Sequence, residues 1–218
     1  MGTLSLLTKE QQSVYSEIAK NEYIRSNFYF TGGTALSSYY LQHRYSDDLD
    51  FFSEKEFNNQ AIFDLVGEMA KKYNFTFESR FEEVVYIFDL IFTDGYKLKL
   101  DFSFYPYKQL EKGDPIENLP IDSLFDIATN KIVTVSQRND VKDFVDLYYL
   151  LQKFSLWDLI SAAKLKFKLE IDPFLLSSDL LKVEDFTFLP RMIKPLTLSE
   201  LKSFYRQIAK DLGEKSVK

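Results

Sequence analysis

Apolar positions recur along this chain with two periods, and the place where one gives way to the other divides it. Near the start, Thr8-Lys9-Glu10-Gln11 has the form of a capping box, and Val14, Ile18 and Ile24 follow near helical spacing, so a helix is expected from Thr8. Phe28-Tyr29-Phe30 reads as a short aromatic strand running into Gly32-Gly33, with a helix over 34–42 and a strand over 48–53 to follow. Phe57 to Lys72 carries Ile62, Phe63, Leu65, Val66 and Met69 in an amphipathic helical pattern. Three strands are then expected over 75–81, 84–92 and 96–104, the last two joined by a hairpin turn at Asp94-Gly95. From Pro115 the pattern is helical: Asp122-Ser123 can cap a helix through Ser136 and Asp140 another through Lys153. Further helices are expected over about 155–168 and 198–212, with a less regular segment from Pro173 to Pro195.

This order of elements predicts an α+β fold: a mixed sheet with flanking helices in residues 1–114, then a helical half in residues 115–218, the changeover lying around 109–119. The chain's 218 residues suffice for one well-packed domain or two small ones, and no repeat or low-complexity tract interrupts them.

The candidate chemistry starts between the first strand and the second. Glycines at 32 and 33 let a backbone approach a phosphate closely, and Thr34 adds a hydroxyl where a helix opens its free N–H groups. Asp48 and Asp50 stand at i and i+2, so on a strand both point to one face. Acidic residues also flank strands as solubilising edge charges. Here Leu49, Phe51 and Phe52 imply partial burial, which is costly for a carboxylate unless it is paired or metal-bound. On the later strand, Leu98, Leu100, Phe102 and Phe104 share one face, and Lys97, Lys99, Asp101 and Ser103 the other. Beside the Asp48–Asp50 strand, Asp101 would complete three carboxylates able to hold two Mg²⁺; otherwise this is a solvated strand face.

In the helical half, Lys131 falls within the stripe of Leu124, Ile127, Ala128, Ile132 and Val135. Such a lysine either snorkels to the stripe's edge or reaches a triphosphate. Asp143 is either a polar anchor between helices, for instance to Arg138, or a partner of Lys131 at the site. The lone His43, beside Arg44, reads as a helix C-terminal charge more readily than as a base. Neither a Walker A loop nor a GxGxxG pattern is present, which argues against P-loop and Rossmann nucleotide sites.

Composition adds three limits. With 45% hydrophobic and 28% charged residues the chain is globular, and 21 Phe with 14 Tyr favour a dense aromatic core. The absence of cysteine excludes disulfides and thiolate metal sites and fits a reducing compartment. Residues 1–12 lack a basic region followed by an apolar core, and no window approaches the roughly 18 apolar residues of a membrane span, so a cytoplasmic location is expected. Net charge is uneven. Residues 151–218 hold 12 Lys and Arg against 9 Asp and Glu, giving +3, and residues 1–150 hold 15 against 24, giving −9. An acidic catalytic half and a basic half contacting a polyanion would suit that split, as would ordinary scatter on solvated faces.

The run Gly32-Gly33-Thr34-Ala35-Leu36, followed by His43-Arg44-Tyr45-Ser46-Asp47-Asp48-Leu49-Asp50-Phe51-Phe52, resembles the AbiEii/AbiGii-type nucleotidyltransferases, a minimal branch of the DNA polymerase β-like superfamily known for toxins of toxin–antitoxin and abortive-infection systems. Lys99-Leu100-Asp101-Phe102 is similar to that family's third-carboxylate strand. Lys131, Arg138 and Lys142-Asp143-Phe144-Val145-Asp146-Leu147 are similar to its helical motifs. The motifs run from about Phe30 to Leu150; Gly33-Thr34 stands where the superfamily often has Gly-Ser, and residues 155–218 match no motif.

The resemblance implies a polymerase β-like sheet and Mg²⁺-dependent transfer of a nucleotide from an NTP, with two ions at Asp48, Asp50 and Asp101 and Mn²⁺ as an alternative. It implies nucleotide contacts from Gly32, Gly33, Thr34, Arg44, Ser46 and Lys131, and catalytic roles for the three carboxylates with Lys131 and Asp143. The implied acceptor is tRNA or another RNA, with a cognate antitoxin as protein partner. Two alternatives stay open: transfer to a small molecule or protein, and a catalytically idle interaction protein.

Overall fold

The computed structural model describes residues 6–216, so the Met1–Ser5 part of the leader reading lies outside the described residues. These fall into two compact units. Residues up to Tyr40 together with Ser46–Ser123 form the first, and Leu41–Tyr45 with the residues from Leu124 onward form the second.

In the first unit, α1 (Lys9–Lys20) opens with the expected capping box: Gln11 N donates to Thr8 Oγ1 at 3.2 Å and Thr8 N donates to Gln11 Oε1 at 2.9 Å. A short α2 (Glu22–Asn27), capped by Asn21, leads into β1 (Tyr29–Thr31). The helix expected over 34–42 is different in kind. One α-helical turn, α3 (Gly32–Ala35), passes into a π-helix over Leu36–Leu41. The widened turn spans the point, between Tyr40 and Leu41, where the chain leaves the first unit for the second.

The strand β2 (Leu49–Ser53) precedes α4 (Asn59–Tyr73), which Asn58 caps and Asn74 closes at φ 54°. Then come β3 (Phe75–Glu82), β4 (Val85–Phe92) and β5 (Lys97–Phe104). Strand order is β1-β2-β5-β4-β3. Only β2 and β5 run parallel, so the sheet is mixed as predicted. Its inner face is aromatic: Phe51 stacks on Phe102 at 5.4 Å and meets Phe30 at 5.3 Å, and all three are fully buried.

The second unit is helical. It contains α5 (Leu124–Gln137), α6 (Val141–Leu150), α7 (Leu156–Phe167), α8 (Pro173–Leu180) and α9 (Leu198–Ser216). Asp140, Ser155 and Asp172 cap α6, α7 and α8 with their side chains. The segment read as less regular contains α8 and a 3₁₀ turn over Leu181–Asp185. At the centre, the buried Tyr205 donates to Phe144 O at 2.7 Å. Among the described residues no helix is long and apolar enough to cross a membrane.

Candidate active site

The first unit brings the strand carboxylates together with the glycine turn. The parallel register of β2 and β5 places Asp50 directly opposite Asp101. Asp48 lies two residues earlier, just ahead of β2, and its charge is felt at both Lys99 and Asp101. On its other side Asp50 sits opposite Thr31 of β1, immediately before Gly32. Gly32 has φ +75°, and a Cβ there would lie 2.1 Å from Asp50 Oδ2 and 2.9 Å from Asp50 Cβ. Backbone angle and space therefore both require glycine, so the turn and the Asp50 carboxylate are packed as one piece.

Thr34 is fully buried, and its hydroxyl donates to the Asp48 carbonyl. The hydroxyl thus fixes the backbone of the first aspartate. A second clamp was not legible in the sequence. The Gln11 amide, already used in the capping box, donates from Nε2 to Ser46 O and Asp47 O, both at 3.0 Å. Gln11 is 1% exposed, and it ties the start of α1 to the two residues that lead into Asp48. The capping pattern marks Gln11 for its Oε1 alone; spacing gives no sign of the other end of the amide.

Lys99 pairs with Asp101 on the same strand face. Burial works to lower the Lys99 amine. Its hydrogen bond and charge contact with Asp101, aided by Asp50 and Asp48, carry it above its ordinary value, so it stays cationic. Burial holds Asp101 above the usual carboxylate value; Lys99 opposes this, and Asp48 and Asp89 add repulsion in the same direction as burial. Asp101 Oδ1 is buried without a hydrogen-bond partner. Among the described residues no three His, Cys, Asp or Glu side chains form a cluster that could hold a metal ion as they stand.

The second unit builds a separate charged network. Arg44 is buried and grips Asp146 with two bonds, Nε to Oδ1 at 2.7 Å and Nη2 to Oδ2 at 2.8 Å. His43 is fully buried, with Nε2 2.7 Å from Asp146 Oδ1, so it is a member of this network and not an exposed helix-end charge. Burial lowers the His43 value despite Asp146, leaving a neutral ring that donates to the carboxylate.

Lys131 stands 2.6 Å from Asp143 Oδ1 and 2.7 Å from Asp146 Oδ2. Arg138 closes on Asp143 at 2.6 and 3.0 Å. Asp143 therefore anchors Arg138, the first of the two alternatives read for it, and also pairs with Lys131. Burial alone would raise Asp146. The charges of Arg44 and Lys131, with hydrogen bonds from Arg44 and His43, hold it well below the ordinary carboxylate range. Burial likewise opposes the charge on Lys131, and Asp146 with Asp143 outweighs it. Asp146 is the residue that periodicity left unassigned, although its position three after Asp143 on an apolar helix was a usable signal.

The family described as "Nucleotidyl transferase AbiEii toxin, Type IV TA system" matches residues 19–214. The chain belongs to this family. An uncharacterized protein of Aquifex aeolicus, aq_aa25, is 34% identical over 163 residues, 73% of each chain. In fold, the AbiEii-family chain is similar to JHP933 from Helicobacter pylori, with TM-score 0.55 and 23% identity over 96% of both chains. It is also similar to MenT4, a nucleotidyltransferase toxin of Mycobacterium tuberculosis, with TM-score 0.52 and 15% identity over 94% of this chain and 85% of that one. The family and the fold are those of nucleotidyltransferases, and the toxin family implies transferase chemistry.

Proposed function

We propose that this chain transfers a nucleotide from an NTP to an RNA acceptor, tRNA first among them, in a reaction that depends on Mg²⁺, and that it acts as a toxin held in check by a cognate antitoxin. The observation that carries this reading is the Asp50–Asp101 rung with Gly32 packed against Asp50. The donor set fits a hard divalent cation: it is all carboxylate oxygen, one buried oxygen of Asp101 lacks a partner, and the row draws in the ammonium of Lys99. Asp48, Asp50 and Asp101 would hold the metal, which when bound supplies Lewis-acid stabilisation of charge on the transferring phosphorus.

The chain's own residues do the rest. The backbone at Gly32 and Gly33 would admit a triphosphate at close range, Thr34 holds the Asp48 carbonyl, and Gln11 holds the Ser46 and Asp47 carbonyls just ahead of it. Asp101, its carboxyl raised above the ordinary value, is suited to take the proton of the acceptor hydroxyl. Lys131 and Arg44 are kept cationic by Asp143 and Asp146, and Arg44 would hold that network in register.

Purified protein incubated with Mg²⁺, each labelled NTP in turn and total tRNA is expected to label tRNA. The Asp48→Ala/Asp50→Ala variant should leave it unlabelled. A fully active double variant would sink the assignment. The −9 charge of residues 1–150 favours a second reading, transfer to a small molecule or protein, because RNA binding usually leaves a basic footprint. Activity that barely changes with added salt would support that acceptor class over RNA.

A further inference from the structure

Against the acidic balance of the first 150 residues, one hollow in the first unit gathers cations. It encloses about 440 Å³ and is lined by Arg25, Lys55 and Lys112, with Phe28 and Pro120 in its walls and Glu54 as its single acid. Among the described residues, none of these three cations takes part in an ion pair. Bringing like charges together costs energy, which a bound anion would offset.

Each cation comes from a separately anchored segment. Arg25 lies in the last turn of α2. The Ser53 hydroxyl donates to Lys55 O at 2.7 Å and accepts from Lys55 N at 3.2 Å, fixing that backbone. Lys112 forms an antiparallel bridge with the buried Asp122. The neighbouring Gly113 fits so closely that a Cβ would lie 2.8 Å from Ile121 O. Glu54 is itself held, accepting from Gln109 N at 3.0 Å. Tyr29 pairs with Phe52 and Thr31 with Asp50, so the hollow, beside Tyr29 and the end of β2, lies at the opposite end of the β1–β2 ladder from the carboxylates.

We propose that this hollow binds a phosphate-bearing nucleotide, with Arg25, Lys55 and Lys112 on the phosphate and the base against the Phe28–Pro120 wall. Its volume suits a small ligand with an apolar body and one charged group. A free mononucleotide and a single nucleotide of an RNA strand share that chemistry. The site is separate from the strand carboxylates and does not depend on their activity.

The test is equilibrium binding of AMP, UMP and a short single-stranded oligoribonucleotide to the whole chain in EDTA, at low salt. Lys55→Glu/Lys112→Glu is expected to weaken binding at least about tenfold, and Glu54→Gln to tighten it about twofold. Both lysines are exposed, so the fold should tolerate the change, and Lys55→Gln/Lys112→Gln gives a milder version with the same direction. Binding in Asp48→Ala/Asp50→Ala is expected to be unchanged. Mononucleotides bound and then lost in the lysine variants would identify a free nucleotide as ligand; loss for the oligoribonucleotide alone would identify an RNA strand. No binding of any probe, binding indifferent to the lysines, or binding lost with the aspartates would each overturn the proposal.

Discussion

At the scale of single residues, the site is set by close fits that leave little latitude. Gly32 is the sharpest. Alanine there would adopt a left-handed backbone that costs about 1 kcal/mol and would push a methyl group into the Asp50 carboxylate. Asp50 must then move, and displacements near 1 Å at a reacting centre cost about 100-fold in rate. Gly32→Ala is therefore expected to lose transfer activity by at least about that factor while keeping a cooperative thermal transition. Gly67, on α4 with nothing within 4 Å of a built Cβ, is the matched control: Gly67→Ala should leave activity intact and raise stability by about 0.5–1 kcal/mol. Near-normal transfer by Gly32→Ala would show that the turn does not position Asp50.

At the scale of elements, the sequence was most legible where a side-chain period dominates. The strands and the capped helices follow from period and caps, and the parallel neighbour that brings Asp101 to Asp50 was anticipated as a condition; β2 begins one residue after Asp48, so strand alternation does not reach it. What lies across from an element is another matter. Periodicity says which face is buried and not which partner waits there, so the Arg44–Asp146 grip, the second use of Gln11 and the π-helical turn were not readable.

The buried pair between α5 and α7 belongs with these. Lys166 Nζ lies 2.6 Å from Asp126 Oδ1 with both side chains fully buried, although each sits on an otherwise ordinary helical pattern. Removing one partner of a buried ion pair is strongly destabilising, so Lys166→Met should weaken the second unit by about 3–5 kcal/mol. Replacing both, Asp126→Leu with Lys166→Met, should recover most of the loss, since an apolar pair of similar volume avoids the desolvation cost. Urea unfolding of the two variants measures this directly. A double variant as weak as the single one would mean that the pair contributes net stability beyond its own desolvation.

For the molecule as a whole, the same charged groups make stability depend on pH, with a sign that can be worked out. His43 titrates below its ordinary 6.5 in the folded chain because burial disfavours its charged form. Asp143 and Asp146 titrate below 3.8 because the cations around them outweigh burial. In all three the unfolded chain takes up protons first on acidification, so each contributes stability that disappears as pH falls. The His43 share begins to go below about 6.5, by no more than about 1.4 kcal/mol per pH unit, and the aspartate share goes only below about 3.8. Asp101, held above its ordinary value, works in the opposite direction over the carboxylate range.

Trp157, the chain's single tryptophan, lies on α7 in the second unit, where His43, Asp143 and Asp146 reside, so its fluorescence reports that unit. Urea midpoints followed at Trp157 are expected to fall between pH 7.5 and pH 5.5. In His43→Asn, which keeps a donor for Asp146 but cannot titrate, that interval should flatten while the loss below about pH 4 remains. Parallel pH profiles for the two proteins would mean that the ring at position 43 is not the group that couples acidification to unfolding.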